Sequence, residues 1–210
     1  MEEFIHQNAL ELVGDLDSPP VFSHRNHDLS FYRFLLAVER LSGQKDYLPV
    51  LAAETVLQQC GDPQPGRTYR VSGQLRSFNN KSGTGNRLVI SAYAQNMHPV
   101  ESESENKLFL AGAICKPPTL RRTPLGRNIS DIMLAVNRRY GRADYLPCIA
   151  WGQVATLLSQ KDVGSCISFS GRFQSRIYTK QTDLGAEEHT AYEVSVMHLV
   201  PEGENEIFLL

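Results

Sequence analysis

The sequence predicts an all-β protein made of two tandem five-stranded Greek-key barrels, each with a short helix between its third and fourth strands. The first observation is a repeat: residues 8–77 align with residues 106–175 at a constant offset of 98 positions, with 21 of 70 pairs identical. The second is a series of short segments that alternate apolar and polar residues, as half-buried strands do. A period of this length indicates two modules of roughly 100 residues each.

The first three elements of both modules are predicted to be strands. They are placed at 10–16, at a segment ending in 35–38 and at 47–52 in module one, and at 108–114, at a segment ending in 133–136 and at 145–150 in module two. Each first strand ends at a proline pair, Pro19-Pro20 or Pro117-Pro118. Proline cannot donate to a ladder, so pairing should stop there.

Helical spacing follows the third strand, at 54–60 and at 153–161. Two further strands complete each module, at 68–76 and 87–94 in module one, and at 166–178 and 190–199 in module two. Module two is expected to hold about six additional residues in the loop at 179–189. Three strands, a helix and two strands are the element order of the OB-fold, a barrel that binds oligonucleotides or oligosaccharides.

Charge is divided unevenly between the modules. Residues 1–105 carry 9 Lys/Arg and 13 Asp/Glu, whereas residues 106–200 carry 12 Lys/Arg and 7 Asp/Glu, so a polyanion should bind the second module. We divide the chain into a first module (1–100), an acidic linker (101–106), a second module (107–200) and an acidic-hydrophobic tip (201–210). The linker is assigned because alternating Glu and Ser bury too little apolar surface to fold alone.

Several classes of protein lack their signatures here. The four cysteines include no Cys-x-x-Cys pair, so neither a zinc site nor another metal or cofactor is expected. The glycine-rich segment 81–85 lacks the strand and helix that flank a phosphate-binding loop, and no enzyme motif is present. No apolar run reaches the roughly 18 residues of a membrane span, and the N-terminus is acidic. The sequence is therefore interpreted as that of a cytoplasmic, non-catalytic protein.

Module two carries three joined motifs: Leu-Ala-Val-Asn-Arg-Arg at 134–139, Ala-Trp-Gly at 150–152 and Gly-Arg-Phe-Gln-Ser-Arg-x-Tyr at 171–178. With these motifs it closely resembles the bacterial single-stranded-DNA-binding protein family over nearly its whole length. Module one keeps a weaker echo, in Leu-Ala-Val at 36–38 and Gly-Gln-Leu-Arg-Ser at 73–77. The resemblance implies largely sequence-independent binding of single-stranded DNA in replication, recombination or repair, and association with the nucleoid.

The resemblance also implies which residues bind. The family's base-stacking aromatics fall on Tyr140, Tyr145, Trp151 and Tyr178. Cations that would neutralise phosphates are Arg121, Arg122, Arg127, Arg138, Arg139, Arg142, Arg172, Arg176 and Lys180. Stacking on an exposed ring contributes about 1–3 kcal/mol per base, and a duplex hides the base faces. Tyrosines on strands and tryptophans beside helices also fill cores, so burial of these rings is the competing interpretation.

Module one offers an internal comparison. At the offset of 98 residues, Ser42, Tyr47, Ala53 and Asn80 stand opposite the four aromatics, so three of the four rings are missing. A secondary site in module one is predicted at Arg40, Tyr47, Arg76 and Phe78. We expect module two to be the main binding unit, and module one to serve architecture, dimerisation or a protein contact.

The chain end and the oligomer leave alternatives open. Phe208, Leu209 and Leu210 would dock partner proteins of replication or recombination, fold back on the barrel or fray. The resemblance implies that four OB-folds act together, which a homodimer would supply. Two other functions compete: a primosome or recombination accessory protein that acts through protein contacts, and an OB-fold protein that binds RNA or oligosaccharide.

Overall fold

The computed structural model describes residues 5–80, 86–182 and 185–201. Each module contains six strands and one α-helix within this range. Module one comprises β1 (Gln7–Leu16), β2 (Val21–Asn26), β3 (Leu29–Glu39), β4 (Lys45–Ala53), α1 (Glu54–Cys60), β5 (Thr68–Asn79) and β6 (Leu88–Pro99). Module two comprises β7 (Glu105–Ile114), β8 (Thr119–Arg122), β9 (Asn128–Asn137), β10 (Ala143–Trp151), α2 (Gly152–Ser159), β11 (Cys166–Thr182) and β12 (Gly185–Val200). A single 3-10 turn, Arg139–Gly141, precedes β10.

Five strands in each module close into a barrel, which confirms the predicted fold class. In module one the order is β3-β4-β6-β5-β1, and β1 pairs back with β3 to close the ring. Module two repeats this order with β9-β10-β12-β11-β7, closed by β7 and β9. Each barrel contains one parallel pair, β4–β6 or β10–β12. The helix of that module lies between the two strands of the pair in the sequence.

The sixth strand of each module, β2 or β8, was not predicted. Each pairs only with the following strand and forms an outer edge of the sheet. All residues of both strands are exposed. A strand with no buried face has no reason to alternate apolar and polar residues, so the sequence pattern could not reveal it.

The two barrels share one twelve-stranded sheet, because β1 pairs antiparallel with β7. Leu10 lies opposite Leu108 in this ladder, and these two leucines are also equivalent in the repeat. The centre of the ladder is therefore a local two-fold axis that relates module one to module two. Most of the buried apolar side chains of both barrels belong to one continuous cluster.

Glycines at equivalent places allow the barrel to close. A Cβ atom on Gly14 would lie 2.5 Å from the carbonyl oxygen of Ala37, and one on Gly112 would lie 2.5 Å from that of Ala135. These are the points where β1 and β7 leave one neighbour and pair with the strand that closes the barrel. The close backbone approach explains why the repeat keeps glycine at both positions.

The predicted elements lie in the right places, but most strands are longer than predicted: β6 ends at Pro99 instead of residue 94, and β12 begins at Gly185 instead of residue 190. Helix α1 matches its prediction at 54–60, whereas α2 begins one residue earlier and ends two residues earlier than predicted. The predicted loop at 179–189 lies largely within the paired strands β11 and β12. Ala92 and Val194 occupy equivalent ladder positions, an offset of 102 residues instead of 98, so module two holds four additional residues and not about six.

Only the first part of the acidic segment 101–106 is a linker between the modules. Its last two residues, Glu105 and Asn106, lie in β7 and pair with Val13 and Leu12. Glu105 and Glu11 both accept hydrogen bonds from Arg70, so this end of the segment is held by an ion pair.

Among the described residues, no helix has the length and apolar character needed to cross a bilayer.

Candidate nucleic-acid interface

Three of the four predicted aromatic residues of module two have rings open to solvent. Tyr145 and Trp151 lie on β10, where their even spacing puts both side chains on the outer side of the strand. They are 49% and 37% exposed, whereas Leu146 and Cys148 between them face the core. Tyr140, in the 3-10 turn before β10, is 96% exposed. These rings therefore do not fill the barrel.

Tyr178 has a different environment. It lies on β11, is half-buried and stacks on His189 of β12, with ring centroids 5.7 Å apart and planes 27° apart. The guanidinium carbon of Arg176 is 5.6 Å from the centroid of the Tyr178 ring. This ring is thus already engaged within the β11–β12 hairpin, so it offers less free surface than Tyr140.

The backbone of Tyr140 adopts a conformation that side-chain-bearing residues seldom use. Its φ is +65°, and Gly141 follows at +67°. The left-handed region costs a residue with a Cβ atom roughly 1–2 kcal/mol. The equivalent turn of module one is closed by the same type of hydrogen bond, Arg40 to Gln44, but there only Gly43 has a positive φ. Module two therefore holds an aromatic ring in solvent at a conformational cost.

The predicted cations differ in their surroundings. Arg121 forms a bidentate pair with exposed Asp131, and Arg176 lies 3.5 Å from Glu193. Arg138 is half-buried and paired with Asp144. The remaining exposed arginines have no carboxylate within ion-pair distance among the described residues: Arg122, Arg127, Arg139 and Arg142. Arg172 is half-buried beside Asn106 and Met197, and the side chain of Lys180 lies outside the described residues.

A buried carboxylate joins the two modules. Asp144 of module two is fully buried and accepts a hydrogen bond of 2.7 Å from the backbone N–H of Ser77 in module one. The guanidinium groups of Arg76 and Arg138 each lie 2.9 Å from its oxygens. One carboxylate thus faces two guanidinium groups and leaves one positive charge uncompensated. Burial lowers the pKa of Arg138, Asp144 opposes that shift, and the neighbouring Arg76 and Arg142 reinforce it.

The equivalent carboxylate of module one makes the reciprocal contact. Asp46 accepts hydrogen bonds from the backbone N–H and the hydroxyl of Ser175 in module two, at 2.8 and 2.7 Å. It also pairs with Arg40 through two bonds of 2.6 Å. Arg40 in turn donates to the carbonyl oxygen of Ser175. Here one carboxylate balances a single guanidinium group, so the two equivalent contacts differ in charge.

These contacts divide the secondary site that the sequence predicts for module one. Arg40 and Tyr47 lie beside Ser175, whereas Arg76 and Phe78 flank Ser77, next to Asp144 and Tyr145. The four residues therefore do not form one cluster. Because the N–H of Tyr145 donates to the hydroxyl of Ser77, this end of β5, which carries the exposed Phe78, lies against β10 of module two. Arg40, Arg76 and Arg138 link the modules, and between 25% and 30% of each side chain remains exposed.

The pKa of Asp46 gives a prediction about stability in acid. Burial alone would raise this pKa, but hydrogen bonds from Arg40 and Ser175 outweigh it and hold the pKa below its ordinary value of 3.8. The contact therefore stabilises the fold fully above that ordinary value, and its contribution is lost as the pH falls through the lowered pKa. We expect the stability gap between the unaltered protein and Asp46→Asn, measured by urea titration, to shrink in acid. A gap independent of pH would contradict this role.

Sequence reasoning missed an aromatic cluster on β2 and β3 of module one. His24 stacks on Phe31 with centroids 5.0 Å apart, and Phe22 packs edge-on against Tyr32 at 6.0 Å. The ring of Phe22 is 55% exposed. The cluster escaped notice because β2 was not predicted, and only the pairing of β2 with β3 brings these rings together.

Two sets of predicted residues cannot be placed. Phe208, Leu209 and Leu210, and the glycine-rich segment 81–85, lie outside the described residues. In the part of the chain that is described, no group of three or more His, Cys, Asp or Glu side chains is arranged to hold a metal ion.

Comparison with known proteins places the family similarity in module two. Residues 105–201 match the sequence profile of the single-strand binding protein family. Single-stranded DNA-binding protein B of Bacillus subtilis is 36% identical over 85 residues, which cover 36% of this chain and 74% of that protein. The chain belongs to the single-strand binding protein family.

Two further single-stranded DNA-binding proteins are similar to this chain, one in sequence over 36% of its length and one in fold over 93%. Single-stranded DNA-binding protein 1 of Streptococcus pyogenes serotype M6 is 33% identical over 82 residues, covering 36% of this chain and 63% of that protein. The crystal structure of the wild-type single-stranded DNA binding protein from Thermus aquaticus superposes with a TM-score of 0.76 over 93% of both chains. At 22% identity, this match shows that the tandem-barrel fold is shared.

Proposed function

We propose that this protein binds single-stranded DNA without catalysis and largely without sequence preference, mainly through module two. The observation that carries the proposal is the row of exposed rings on one module, with Tyr140 almost fully in solvent and Tyr145 and Trp151 on the outer side of β10. Exposed rings stack on unpaired bases of any identity, whereas paired bases hide their faces in a duplex.

The charges around these rings support the same ligand. Arg139 and Arg142 flank Tyr140 in the sequence and are exposed, and Arg122 and Arg127 lie at and beyond the end of β8. Exposed guanidinium groups without carboxylate partners neutralise phosphates, and the release of counterions makes such binding weaken as salt rises. An oligosaccharide would show little of this dependence, so a salt titration separates the two ligand classes.

Module one lacks this combination, which supports unequal roles. Tyr47 is 45% exposed, but Ser42 and buried Ala53 stand where module two has Tyr140 and Trp151. The equivalent of Arg139 is Leu41, which is 97% exposed. We propose that module one mainly completes the shared sheet and contributes the exposed Phe78 at the end of β5 that lies against β10.

Tyr145 and Tyr47 form a matched pair that tests this division within the intact chain. Tyr145→Ala should weaken binding of oligo-dT by about 1–3 kcal/mol, the contribution of one stacked base. Tyr47→Ala should have a smaller effect because its neighbouring rings are absent. Anisotropy of a labelled oligo-dT measures both, and equal losses would contradict the leading role of module two. Oligo-rU and duplex competitors in the same assay report the preference for DNA and for unpaired strands.

We further propose that two chains associate, bringing together four OB-folds for use in replication, recombination or repair. The pairing of β1 with β7 already joins two barrels within one chain, so a second chain must use another surface. Light scattering should give twice the chain mass of 23.5 kDa. A mass equal to one chain at micromolar concentration would contradict the association.

A further inference from the structure

Two equivalent grooves lie between the modules, and they differ in size and charge. The first, of about 1150 Å³, lies between the Tyr140 turn of module two and the β1, β5 and β6 strands of module one. The second, of about 350 Å³, lies between the equivalent turn of module one and the β7, β11 and β12 strands of module two. The local two-fold axis through Leu10 and Leu108 relates them, so each serves as the control for the other.

The larger groove is cationic. Among the described residues, four arginines line it and no carboxylate does: Arg76, Arg138, Arg139 and Arg142. Asp144 is buried next to the groove, and its single negative charge balances only one of the two guanidinium groups that it contacts. Arg139 and Arg142 are exposed. A net positive charge therefore faces an open space of about 1150 Å³. Gln95 and Asn26, both exposed, add neutral amide donors from module one.

The smaller groove is electrically balanced. Three acids and three basic residues line it: Glu39, Asp46, Glu105, Arg40, Lys107 and Arg172. Two of the acids are paired, Asp46 with Arg40 and Glu105 with Lys107. Met197, 39% exposed, stands where the larger groove has Gln95; both are the extra residue of a β-bulge at equivalent places in β12 and β6. This groove offers a polyanion neither excess charge nor comparable space.

From this asymmetry we infer that a single strand of nucleic acid crosses from module two to module one through the larger groove only. The inference rests on the proposed function and adds a path to it. The strand leaves the ring of Tyr140, its phosphates lie against Arg139, Arg142 and the unbalanced charge of the Arg76–Asp144–Arg138 group, and it reaches module one at Gln95. Module one thereby contributes to the binding site although it lacks most of the stacking rings.

Photo-crosslinking tests the path in the intact chain. The photoreactive residue p-benzoylphenylalanine is introduced at Gln95 in one variant and at Met197 in another, and each is irradiated with labelled oligo-dT. An adduct at Gln95 at least about tenfold stronger than at Met197 is expected. Equal adducts, or no adduct at Gln95 from a protein that still binds the oligomer, would overturn the crossing alone. A protein that does not bind oligo-dT would overturn the proposed function and the crossing together.

A charge test uses the same two positions. Gln95→Glu places a carboxylate in the cationic groove, close to where the phosphates would lie. It should weaken oligo-dT binding about fivefold at low salt, the size of one like-charge contact in water, and less at high salt. Met197→Glu, equally at a surface bulge, should leave affinity within about twofold of the unaltered protein. Equal losses for both variants would place the strand elsewhere.

Discussion

Replacing Tyr140 and Trp151 together with alanine should weaken binding of oligo-dT by about 2–6 kcal/mol, because each ring stacks on one base for about 1–3 kcal/mol. The lower bound corresponds to a loss of roughly thirtyfold in affinity. Tyr140 is 96% exposed, so its loss should hardly affect folding, whereas Trp151 is 37% exposed and its loss should also remove some packing. The anisotropy of a labelled oligomer measures the affinity, and urea titration checks the fold.

The matched control for this variant comes from module one. Ser42 is the residue equivalent to Tyr140, and the position equivalent to Trp151 is already an alanine, Ala53. Ser42→Ala should therefore leave affinity unchanged. If the doubly substituted protein bound oligo-dT as tightly as the Ser42→Ala protein, the exposed rings of module two would not be the binding platform.

Asp144→Asn should lower the free energy of unfolding by about 3–5 kcal/mol, the usual result of removing one member of a buried ion pair. The carboxylate is fully buried and faces both Arg76 and Arg138, so its loss leaves two guanidinium groups close together without a counter-charge. It also weakens the hydrogen bond from the N–H of Ser77, which joins the modules. Urea titration of the intact chain measures the change.

Two further variants separate this effect from general sensitivity to charge. Asp131→Asn removes the exposed partner of Arg121 and should cost at most about 1 kcal/mol. Adding Arg76→Gln to Asp144→Asn should recover part of the loss, because one of the two uncompensated charges is then removed. A cost for Asp144→Asn no larger than that for Asp131→Asn would show that the buried carboxylate does not hold the modules together.

The sequence predicted those features that the repeat or the local pattern determines. The offset of 98 residues anticipated two equivalent barrels, and the ladder places the repeat partners Leu10 and Leu108 opposite each other. Alternation along β10 separates the buried Leu146 and Cys148 from the exposed Tyr145. In these cases the information lies within one strand, or in the comparison of two copies.

The features that the sequence did not reveal depend on contacts between the modules. Arg40, Arg76 and Arg138 are predicted to bind DNA, and the structure adds a contact that the sequence does not reveal, because each pairs with a buried aspartate at the module boundary. Each of the three arginines contacts a residue more than 60 positions away, so no local pattern indicates these contacts. The unequal charge of the two grooves likewise emerges only when both modules are placed side by side.

Trp151, the single tryptophan of the chain, allows the most direct test of the central claim that unpaired bases stack on module two. It is partly exposed at the end of β10, so a base stacked on it should quench its fluorescence. Titration of the intact protein with oligo-dT should quench this fluorescence until the site is saturated, and added salt should reverse the effect. Fluorescence that stays constant while anisotropy reports a bound oligomer would contradict the claim.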